Sequence, residues 1–381
     1  MKNHRVVVIG AGSTGAAIAH DLALRGIQVT LIERFGPAAG STGHNQAQLH
    51  SGARYAVTDP TSARECIEEN RILRKLMANT LELNDGLFIA LQEEHLEYRK
   101  TFLEACAQCN IPTQEISRAQ ALQMEPRLNP DLLSAIRIPD GVFDPYRFTL
   151  SFIATACKNG ATFLPFNEVI ALDPKRGQVT VHQHDQDKTK IIGCDVIVNA
   201  AGPWAPRIAA QAGISLPLEP SAGVMVTIQE RLCNMVINLL ALPGDGDIIV
   251  PQRNTSILGT TSWTVEDPDN IPIPPGHVSR LQELADWMMP GASRIPVRGM
   301  MAAARPLIKD STSEGRLASR THRCYDHAED GAAGFFSVIG GKTTTARYMA
   351  EKTSDMVCMQ LGINVPCKTR TEPLVSHRLW I

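Results

Sequence analysis

The chain has 381 residues, 44% of them hydrophobic and 20% charged, and its formal net charge is −2. This is the composition of an ordinary globular protein large enough for two domains, and it gives no reason to expect nucleic acid or an anionic membrane as a general partner. No apolar stretch approaches the roughly 18 residues that a membrane-spanning helix needs. The first apolar run follows Arg5 directly, which leaves no room for a signal peptide. We therefore expect a cytoplasmic protein, with peripheral association at the inner face of the membrane left open.

Nine cysteines are scattered along the chain, and their spacing argues against a metal centre or a disulfide. Cys106 and Cys109 form a C-x-x-C, but no second pair stands at the spacing of a zinc site. Both fall late in a helical pattern, where thiols are usually buried. We predict no metal and no disulfide.

The first elements of the chain form a strand–helix–strand pattern. The apolar run over residues 6–9 predicts a strand buried on both faces, and glycines follow it at once in the spacing G-x-G-x-x-G. A helix of small residues then ends at Gly26, and a second strand over 28–32 is followed by Glu33. This pattern predicts a dinucleotide site at the carboxyl ends of the two strands.

Four residues of this unit have separate tasks in binding a dinucleotide. Gly10 permits the tight turn, and Gly12 lets a pyrophosphate approach the backbone N–H groups at the positive end of the helix. Gly15 lets the helix pack closely on the strand. The Glu33 carboxylate accepts hydrogen bonds from the hydroxyls of the adenosine ribose.

The stretch over residues 36–57 is rich in Gly, Ser, His and Asn and lacks periodicity, and a loop of this length is usually functional. Residues 62–65 match a capping box and predict that a helix begins there. The pattern then predicts a strand over 86–91, a helix over about 94–109, a short helix after 117–120 and a helix that ends near Gly160.

Two later segments repeat the strand-and-glycine arrangement. An apolar strand over 195–199 runs into small residues at 200–202, which suit close approach of a cofactor. A second apolar strand over 335–339 is followed by two glycines and a helix over 344–361, whose first N–H groups favour negative charge. The cofactor domain is therefore expected to be assembled from three separated pieces.

Residues 216–325 show a different pattern, with strands broken by proline-rich turns and one amphipathic helix over 277–289. The overall prediction is an α/β protein, in which a Rossmann-like cofactor domain is joined to an antiparallel β-sheet substrate domain. The cofactor domain is assigned residues 1–85, 145–215 and 326–381, and the substrate domain is assigned residues 86–144 and 216–325.

A series of ordered stretches resembles one family. They are residues 40–45 (GSTGHN), 49–59 (LHSGARYAVTD), 62–70 (SARECIEEN), 140–147 (DGVFDPYR), 198–204 (VNAAGPW), 248–251 (IIVP), 259–262 (GTTS), 304–307 (ARPL), 317–320 (LASR) and 338–347 (VIGGKTTTAR). They resemble the FAD-dependent glycerol-3-phosphate dehydrogenases of the anaerobic catalytic-subunit type, within the D-amino-acid-oxidase-like superfamily. The resemblance extends to about Cys367. It implies that the Rossmann-like domain binds FAD rather than NAD, whose enzymes usually keep a contiguous nucleotide domain.

The resemblance also implies which residues bind the cofactor. The FAD-binding residues are Gly10, Gly12, Ser13, Thr14, Gly15, Glu33, Arg34, Ser41, Thr42, Asn45, His50, Val169, Gly202, Trp204, Gly341, Lys342, Thr343 and Thr344. Among them, Val169 would hold the adenine through its backbone, and the residues from Gly341 onwards would close over the isoalloxazine.

The same resemblance implies a small anionic substrate, a phosphorylated polyol, bound by Arg54, Tyr55, Arg305, Arg320 and Lys342. A phosphate dianion calls for several cations, and arginine offers a bidentate fork that lysine lacks. The implied reaction is oxidation of sn-glycerol 3-phosphate to dihydroxyacetone phosphate, with the C2 hydride moving to flavin N5. The catalytic residues would be His50, Arg305 and Lys342, with His50 as the base; a role for His50 in orienting FAD is an equal alternative.

Two departures from the family bear on the mechanism. In related aerobic enzymes, the segment that matches residues 222–225 carries a lysine and a histidine proposed for catalysis, and this chain has neither there. The anaerobic subunit continues into a cysteine-rich iron–sulfur domain, and this chain has Cys367 alone near its end. We therefore expect the electrons to pass to a quinone or to an electron-transfer protein partner.

Two other functions stay open at this point. The first is an FAD-dependent dehydrogenase or oxidase of another polyol phosphate, a 2-hydroxy acid or an amino acid. The second is a non-catalytic electron-transfer flavoprotein subunit. Because a carboxylate needs one arginine fork, the number of cations at the site separates a carboxylate substrate from a phosphate.

Overall fold

The computed structural model describes residues 4–309 and 321–380. No helix in these two ranges combines the length and the apolar character needed to cross a membrane. The α-helices of these ranges are α1 (Ser13–Leu24), α2 (Pro60–Leu76), α3 (Glu93–Gln108), α4 (Arg118–Met124), α5 (Pro145–Lys158), α6 (Ala205–Ala210), α7 (His277–Met288) and α8 (Ala346–Leu361).

The strands range from two residues (β3, β4 and β18) to twelve (β19). They are β1 (Arg5–Ile9), β2 (Gln28–Ile32), β3 (Gln48–Leu49), β4 (Leu81–Glu82), β5 (Gly86–Ala90), β6 (Gln114–Ile116), β7 (Ser134–Ile138), β8 (Gly141–Phe143), β9 (Thr162–Leu164), β10 (Asn167–Asp173), β11 (Gln178–Gln183), β12 (Lys188–Gly193), β13 (Val196–Asn199), β14 (Leu218–Ile228), β15 (Val236–Leu239), β16 (Ile248–Gln252), β17 (Thr255–Gly259), β18 (Trp263–Thr264), β19 (Val297–Ile308), β20 (His322–Asp326) and β21 (Phe335–Gly340).

The glycine-rich turns belong to a largely parallel sheet, which within the described residues has the strand order β20-β21-β13-β1-β2-β9. β1 pairs in parallel with both β2 and β13, so the carboxyl ends of these strands open on one edge. β21 pairs in parallel with β13, and β20 then pairs antiparallel with β21. The predicted assembly of this sheet from three separated parts of the chain is confirmed.

Small side chains let helices pack closely against this sheet. α1 is buried along almost its whole length, and Ala16, Ala19 and Leu22 belong to the core that it shares with α5 and α8. The two alanines keep the helices close together without leaving voids. The strand–turn–helix unit that carries the glycines is thereby held rigidly.

A second sheet has the order β18-β14-β17-β16-β15-β5-β7-β6 in the described ranges, with β19 along β14. Its pairings there are antiparallel apart from β5 with β15, which is parallel. The predicted antiparallel sheet is therefore confirmed with one exception, because β5 comes from a much earlier part of the chain and no hairpin joins it to β15. The predicted α/β fold class is confirmed.

Two helices begin at residues other than the predicted ones. α2 begins at Pro60, because the Asp59 carboxylate accepts a hydrogen bond from the Ser62 N–H (3.1 Å) and proline favours the first helical position. The predicted capping box at 62–65 is wrong. α8 begins at Ala346 after a 3-10 turn over Thr343–Thr345, so the predicted start at 344 is slightly early.

The predicted boundary at 325/326 falls within β20. β20 extends the parallel sheet, although most of it lies on the substrate side of that boundary. The division into two domains with the bounds given above stays a prediction.

Candidate functional site

A cavity of about 650 Å³ lies where the carboxyl ends of the parallel strands face the second sheet. Gly10, Glu33 and Ala200 line it from the ends of β1, β2 and β13. Residues 302–305 of β19 and the segment around His50 also line it. Ligands bind at this edge in open α/β sheets, because the strand ends and the helix N-termini converge there.

The glycine-rich turn is packed so tightly that side chains would not fit. A Cβ placed on Gly15 would overlap the carbonyl oxygen of Gly10, and one on Gly10, whose φ is +99°, would lie 2.7 Å from the carbonyl oxygen of Ala200. α1 begins after Gly12 without a side-chain cap and without an acid in its first turn. Its positive end therefore faces the cavity and suits a pyrophosphate.

Glu33 and Val169 lie on the cavity beside this turn. The Glu33 carboxylate accepts hydrogen bonds from the N–H groups of Ala11 (2.8 Å) and Phe35 (2.9 Å), which fixes its orientation. A carboxylate oxygen accepts more than one hydrogen bond, so both oxygens keep capacity for ribose hydroxyls. Val169 lies where β10 departs from regular pairing with β11.

Arg34 and Trp204 form a stacked pair at the same part of the cavity. The Arg34 guanidinium lies 4.5 Å from the centre of the Trp204 ring, and both side chains donate to Asp269 Oδ1 at 2.8 Å. Arg207 also contacts the Asp269 carboxylate. Gly202, with a φ of +58°, turns the chain into this pair. We call Asp269 with Arg34, Trp204 and Arg207 the Asp269 cluster.

The loop over residues 36–57 is tied to three elements around the cavity. Thr42 Oγ1 accepts a hydrogen bond from the Ser13 N–H (3.0 Å), and Ser41 Oγ donates to the carbonyl of Ala304 (2.6 Å). Asn45 Nδ2 donates to the carbonyl of Thr42 (2.6 Å) and to Thr343 Oγ1 (3.3 Å). The loop is therefore built into the wall of the cavity.

The segment around His50 meets the turn before α8. The His50 N–H donates to Thr344 Oγ1 (3.2 Å), and the His50 ring meets the Tyr55 ring edge-on, with 5.4 Å between centres. Lys342 Nζ lies 4.5 Å from the centre of the Tyr55 ring and donates to Ser62 Oγ. His50, Tyr55 and Lys342 therefore share one wall of the cavity.

Arg54 forms a buried ion pair. Its guanidinium lies 2.7 Å from Asp247 Oδ1, and both side chains are less than a tenth exposed. Burial alone would lower the pKa of Arg54, but Asp247, with Tyr55 and Asp140, raises it above the usual value. Arg54 is therefore a permanent cation on the cavity wall.

Arg305 is held in one orientation by the second sheet. Nη1 donates to the carbonyls of Ser221 (3.3 Å) and Ala222 (3.1 Å), and Nη2 donates to Thr260 Oγ1 (2.9 Å) and to the carbonyl of Thr261 (3.1 Å). The space for it depends on Gly223, where a Cβ would overlap Nη2. Arg305 thus presents a preorganised charge to the cavity.

These residues fit FAD and an anionic substrate. The glycine-rich turn lies at the N-terminus of α1, and the oriented Glu33 carboxylate lies at the end of β2. Three cations (Arg54, Arg305 and Lys342) line the same cavity. We call these three the cation group. Most of the predicted site residues line this cavity, whereas Gly15 supports the turn from behind and Arg320 lies outside the described residues. Their individual roles stay predictions.

The sequence patterns do not indicate the acidic partners of this site. Asp247, Asp269 and Asp140 were not singled out, because each acts on a residue far away in the chain. One signal was present, since an arginine near a cofactor loop needs a carboxylate when it is buried. No spacing rule indicates which of the acids in the chain supplies it.

Comparisons with known proteins agree with this geometry. The model of the FAD dependent oxidoreductase family matches residues 5–347. One subunit of the anaerobic glycerol-3-phosphate dehydrogenase of Haemophilus influenzae is 41% identical over 97% of this chain and 67% of its own length. The corresponding subunit from Escherichia coli K12 is 40% identical over 96% and 68%. The chain therefore spans about two thirds of the length of these relatives.

Solved structures share the fold at low identity. Glycine oxidase from Geobacillus kaustophilus has a TM-score of 0.77 at 21% identity, covering 98% of this chain and 99% of its own. Glycerol-3-phosphate dehydrogenase from Bacillus halodurans, complexed with FAD, has a TM-score of 0.72 at 24% identity, covering 98% and 68%. The family match over most of the chain agrees with the motifs and with the cavity, and this chain belongs to the FAD dependent oxidoreductase family.

Proposed function

We propose that this protein uses FAD to oxidise sn-glycerol 3-phosphate to dihydroxyacetone phosphate. The observation that carries the proposal is a single cavity lined both by a dinucleotide-binding turn and by Arg54, Arg305 and Lys342. About 40% identity to one subunit of anaerobic glycerol-3-phosphate dehydrogenases, over nearly the whole chain, supports this substrate.

The chain's own residues would hold FAD along the edge of the parallel sheet. The N–H groups at the start of α1 would bind the pyrophosphate, and Glu33 would bind the ribose. The turn Thr343–Thr345 and the start of α8 carry no acidic residue and would stabilise negative charge through backbone N–H groups. When bound, the flavin supplies the hydride acceptor at N5.

The cation group would bind the substrate phosphate together with Tyr55. Arg54 offers a fork fixed by Asp247, and Lys342 offers a point charge beside the Tyr55 ring. Gathering these cations is costly without an anionic ligand. Arg320 is proposed as a further phosphate-binding residue from the family motif.

His50 is the proposed base for the C2 hydroxyl proton. Its backbone N–H is fixed by Thr344, and its ring lies against Tyr55 on the cavity wall. Arg305 and Lys342 would polarise the developing alkoxide. A histidine is suited to this role because its ordinary pKa lies near neutral pH.

The electrons would leave to a quinone or to an electron-transfer protein partner. The protein would act in the cytoplasm, and a quinone acceptor would require peripheral contact with the inner face of the membrane. A test is reoxidation of the substrate-reduced protein by a soluble quinone in the absence of oxygen. Failure of quinones to reoxidise it would leave a protein partner as the acceptor.

Anaerobic reduction of the bound flavin tests the proposed reaction. Addition of sn-glycerol 3-phosphate should bleach the visible flavin absorbance, and glycerol should not. Bleaching by a 2-hydroxy acid or an amino acid instead would identify a carboxylate dehydrogenase or oxidase. No bleaching with any phosphate, hydroxy acid or amino acid would contradict the proposed activity and favour an electron-transfer role.

A further inference from the structure

Asp140 is a buried carboxylate directly behind the segment that carries His50. It lies between β7 and β8 and is 2% exposed. Oδ1 accepts a hydrogen bond from the Ser51 N–H, and Oδ2 accepts one from Gln48 Nε2, both at 2.6 Å. Short, charge-assisted bonds of this kind fix the geometry of their donors strongly. Asp140 thus accepts a hydrogen bond from each end of the segment over residues 48–51.

The same segment is braced by α2. Asn70 Nδ2 lies within hydrogen-bond distance of the carbonyl oxygens of His50 (3.2 Å) and Pro139 (3.0 Å). Arg74 Nη2 donates to the carbonyls of Pro139 (2.9 Å) and Asp140 (2.7 Å), and its Nε donates to Asn70 Oδ1 (2.7 Å). The backbone of His50 is therefore held by Asn70 on one side and by Thr344 on the other.

This arrangement costs stability at neutral pH. Burial raises the pKa of Asp140 to about 6, although Ser51, Gln48 and Arg74 act in the opposite direction. A neutral side chain at this position would avoid the cost of a buried charge. A carboxylate is the side chain that accepts from both donors at once, which an amide does not.

We infer that Asp140 is a positioning residue that fixes the segment over residues 48–51, and through it the His50 ring, on the wall of the cavity. The inference rests on the proposed function, in which His50 acts on the substrate. Asp140 itself does not line the cavity and is not a catalytic residue.

The charges around Asp140 predict a pH dependence. Arg54 and Arg74 remain cationic, and burial raises the pKa of Cys66 to about 11 and that of Cys106 to about 12, so both thiols are neutral. Below about pH 6, protonation of Asp140 removes the negative charge that strengthens both hydrogen bonds.

The test compares two buried carboxylates. Glu125 accepts hydrogen bonds from the N–H groups of Asn234 (2.7 Å) and Met235 (2.5 Å), and it lies away from the cavity lining. Asp140→Asn should slow anaerobic flavin reduction by sn-glycerol 3-phosphate about 10- to 100-fold. Substrate affinity and FAD content should change less than threefold. Glu125→Gln, which likewise replaces a buried carboxylate by an amide, should keep the rate within twofold of wild type.

Two further readouts separate positioning from folding. The protection of the amides over 48–51 against hydrogen exchange should fall in the wild type as the pH drops through about 6, and it should not change with pH in Asp140→Asn. Amide hydrogen exchange of the peptide over 48–51 should accelerate at least tenfold in Asp140→Asn and not in Glu125→Gln. Asn70→Ala, which loosens the same segment from α2, should reproduce both the slow reduction and the fast exchange if Asp140→Asn does not fold.

The outcomes are distinguishable. Wild-type protein that is not bleached contradicts the proposed function, and the exchange measurement still decides the positioning role. Amide hydrogen exchange of residues 48–51 at the wild-type rate in Asp140→Asn overturns the inference. An unchanged reduction rate in that variant, or an equal loss in Glu125→Gln, also overturns it.

Discussion

Arg54 and Asp247 form an ion pair that uses only one of the two terminal nitrogens of the guanidinium. Arg54 Nη2 donates both to Asp247 Oδ1 (2.7 Å) and to the carbonyl of Gly244 (3.1 Å). Asp247 Oδ2 accepts from the Gly244 N–H (2.8 Å), which locks the pair to the turn before β16. Nη1 is buried and has no hydrogen-bond partner among the described residues. A buried hydrogen-bond donor that is left unpaired costs about 1–3 kcal/mol of stability. An anion that accepts a hydrogen bond from Nη1 would therefore bind favourably here.

Asp247→Asn should lower the free energy of unfolding and make the protein more responsive to phosphate. Removing one partner of a buried ion pair costs about 3–5 kcal/mol, because the other charge stays buried. Inorganic phosphate at Arg54 would replace the missing negative charge. Its addition should therefore raise the melting temperature of the variant by more than that of the wild type.

Glu69→Gln is the matched control for this experiment. Glu69 pairs with Arg347 at 2.6 Å, both side chains are at most 2% exposed, and neither lines the cavity. This variant should be destabilised less, because Arg347 keeps Glu351 as an ion-pair partner at 2.6 Å, and phosphate should not restore it. An equal phosphate response in both variants would show that Arg54 is not an anion site.

The Asp269 cluster closes the part of the cavity next to Glu33, and Asp269→Ala should weaken retention of FAD. Hydrogen bonds from Arg34, Arg207 and Trp204 outweigh the effect of burial and lower the pKa of Asp269, so it is ionised at neutral pH. Loss of the Asp269 carboxylate removes the acceptor of the hydrogen bonds from Arg34 and Trp204. We expect the dissociation constant of FAD to rise about threefold to tenfold, because exposed ion pairs contribute little individually. Flavin fluorescence during dilution measures it.

Asp267→Ala controls for the loss of surface charge. Asp267 Oδ1 accepts from Arg207 (2.5 Å) and from the Asp269 N–H (2.8 Å), but no hydrogen bond joins it to Arg34 or Trp204 in the described structure. FAD retention should stay within twofold of wild type in this variant. A rise equal to that of Asp269→Ala would contradict a specific role for Asp269.

The sequence predicts the helices and strands of this fold better than it predicts which residues pair with one another at the site. The turn at Gly10 and Gly15 is local, because its glycines, strand and helix lie within a few residues of one another. Arg54 and Asp247 are 193 residues apart, and Gln48 and Asp140 are 92 apart, so their pairing depends on how distant parts of the chain come together. Periodicity and spacing rules act within one element and carry no information on such pairs.

A competing cap explains why the predicted start of α2 at residues 62–65 is wrong. Residues 62–65 satisfy the capping-box pattern, but the sequence Asp59-Pro60 supplies a cap and a preferred first residue three positions earlier. The Ser62 hydroxyl is then free to contact Lys342. A residue assigned to capping thus lies instead beside the proposed substrate site.

Acid should destabilise the protein through His20. This ring lies in α1 against Phe152, is 1% exposed and has no hydrogen-bond partner for either nitrogen within the described ranges. Burial, with a smaller effect from Arg347, lowers its pKa to about 4. The unfolded chain binds the proton near the usual pKa of 6.5, so stability from His20 is present above that pH and is lost as the pH falls towards 4.

His20→Leu should remove this acid sensitivity. Between pH 7 and pH 5 the histidine accounts for a loss of about 2 kcal/mol, so the variant should lose that much less than wild type in denaturant unfolding. His184→Leu is the control, because that side chain is 41% exposed. An identical loss between the two pH values in wild type and His20→Leu would contradict the prediction.

Lys342→Met should impair the chemical step more than folding. Lys342 Nζ lies beside Tyr55 and Ser62 on the wall that His50 shares, where negative charge would develop in the proposed oxidation. Removing a preorganised positive group from such a place costs roughly 100- to 1000-fold in turnover. We expect kcat/KM for sn-glycerol 3-phosphate to fall by that factor, while thermal stability changes little because the side chain is partly exposed.

Lys352→Met is the matched control on α8. Its Nζ lies 5.4 Å from the centre of the Tyr348 ring, which repeats the lysine–tyrosine contact of Lys342 and Tyr55 outside the cavity. Because Lys352 is exposed and no cofactor or substrate lies near it in the proposed function, its loss should leave turnover within twofold of wild type. Unchanged turnover in Lys342→Met, or an equal fall in Lys352→Met, would show that the lysine beside Tyr55 stabilises the fold rather than the reacting charge.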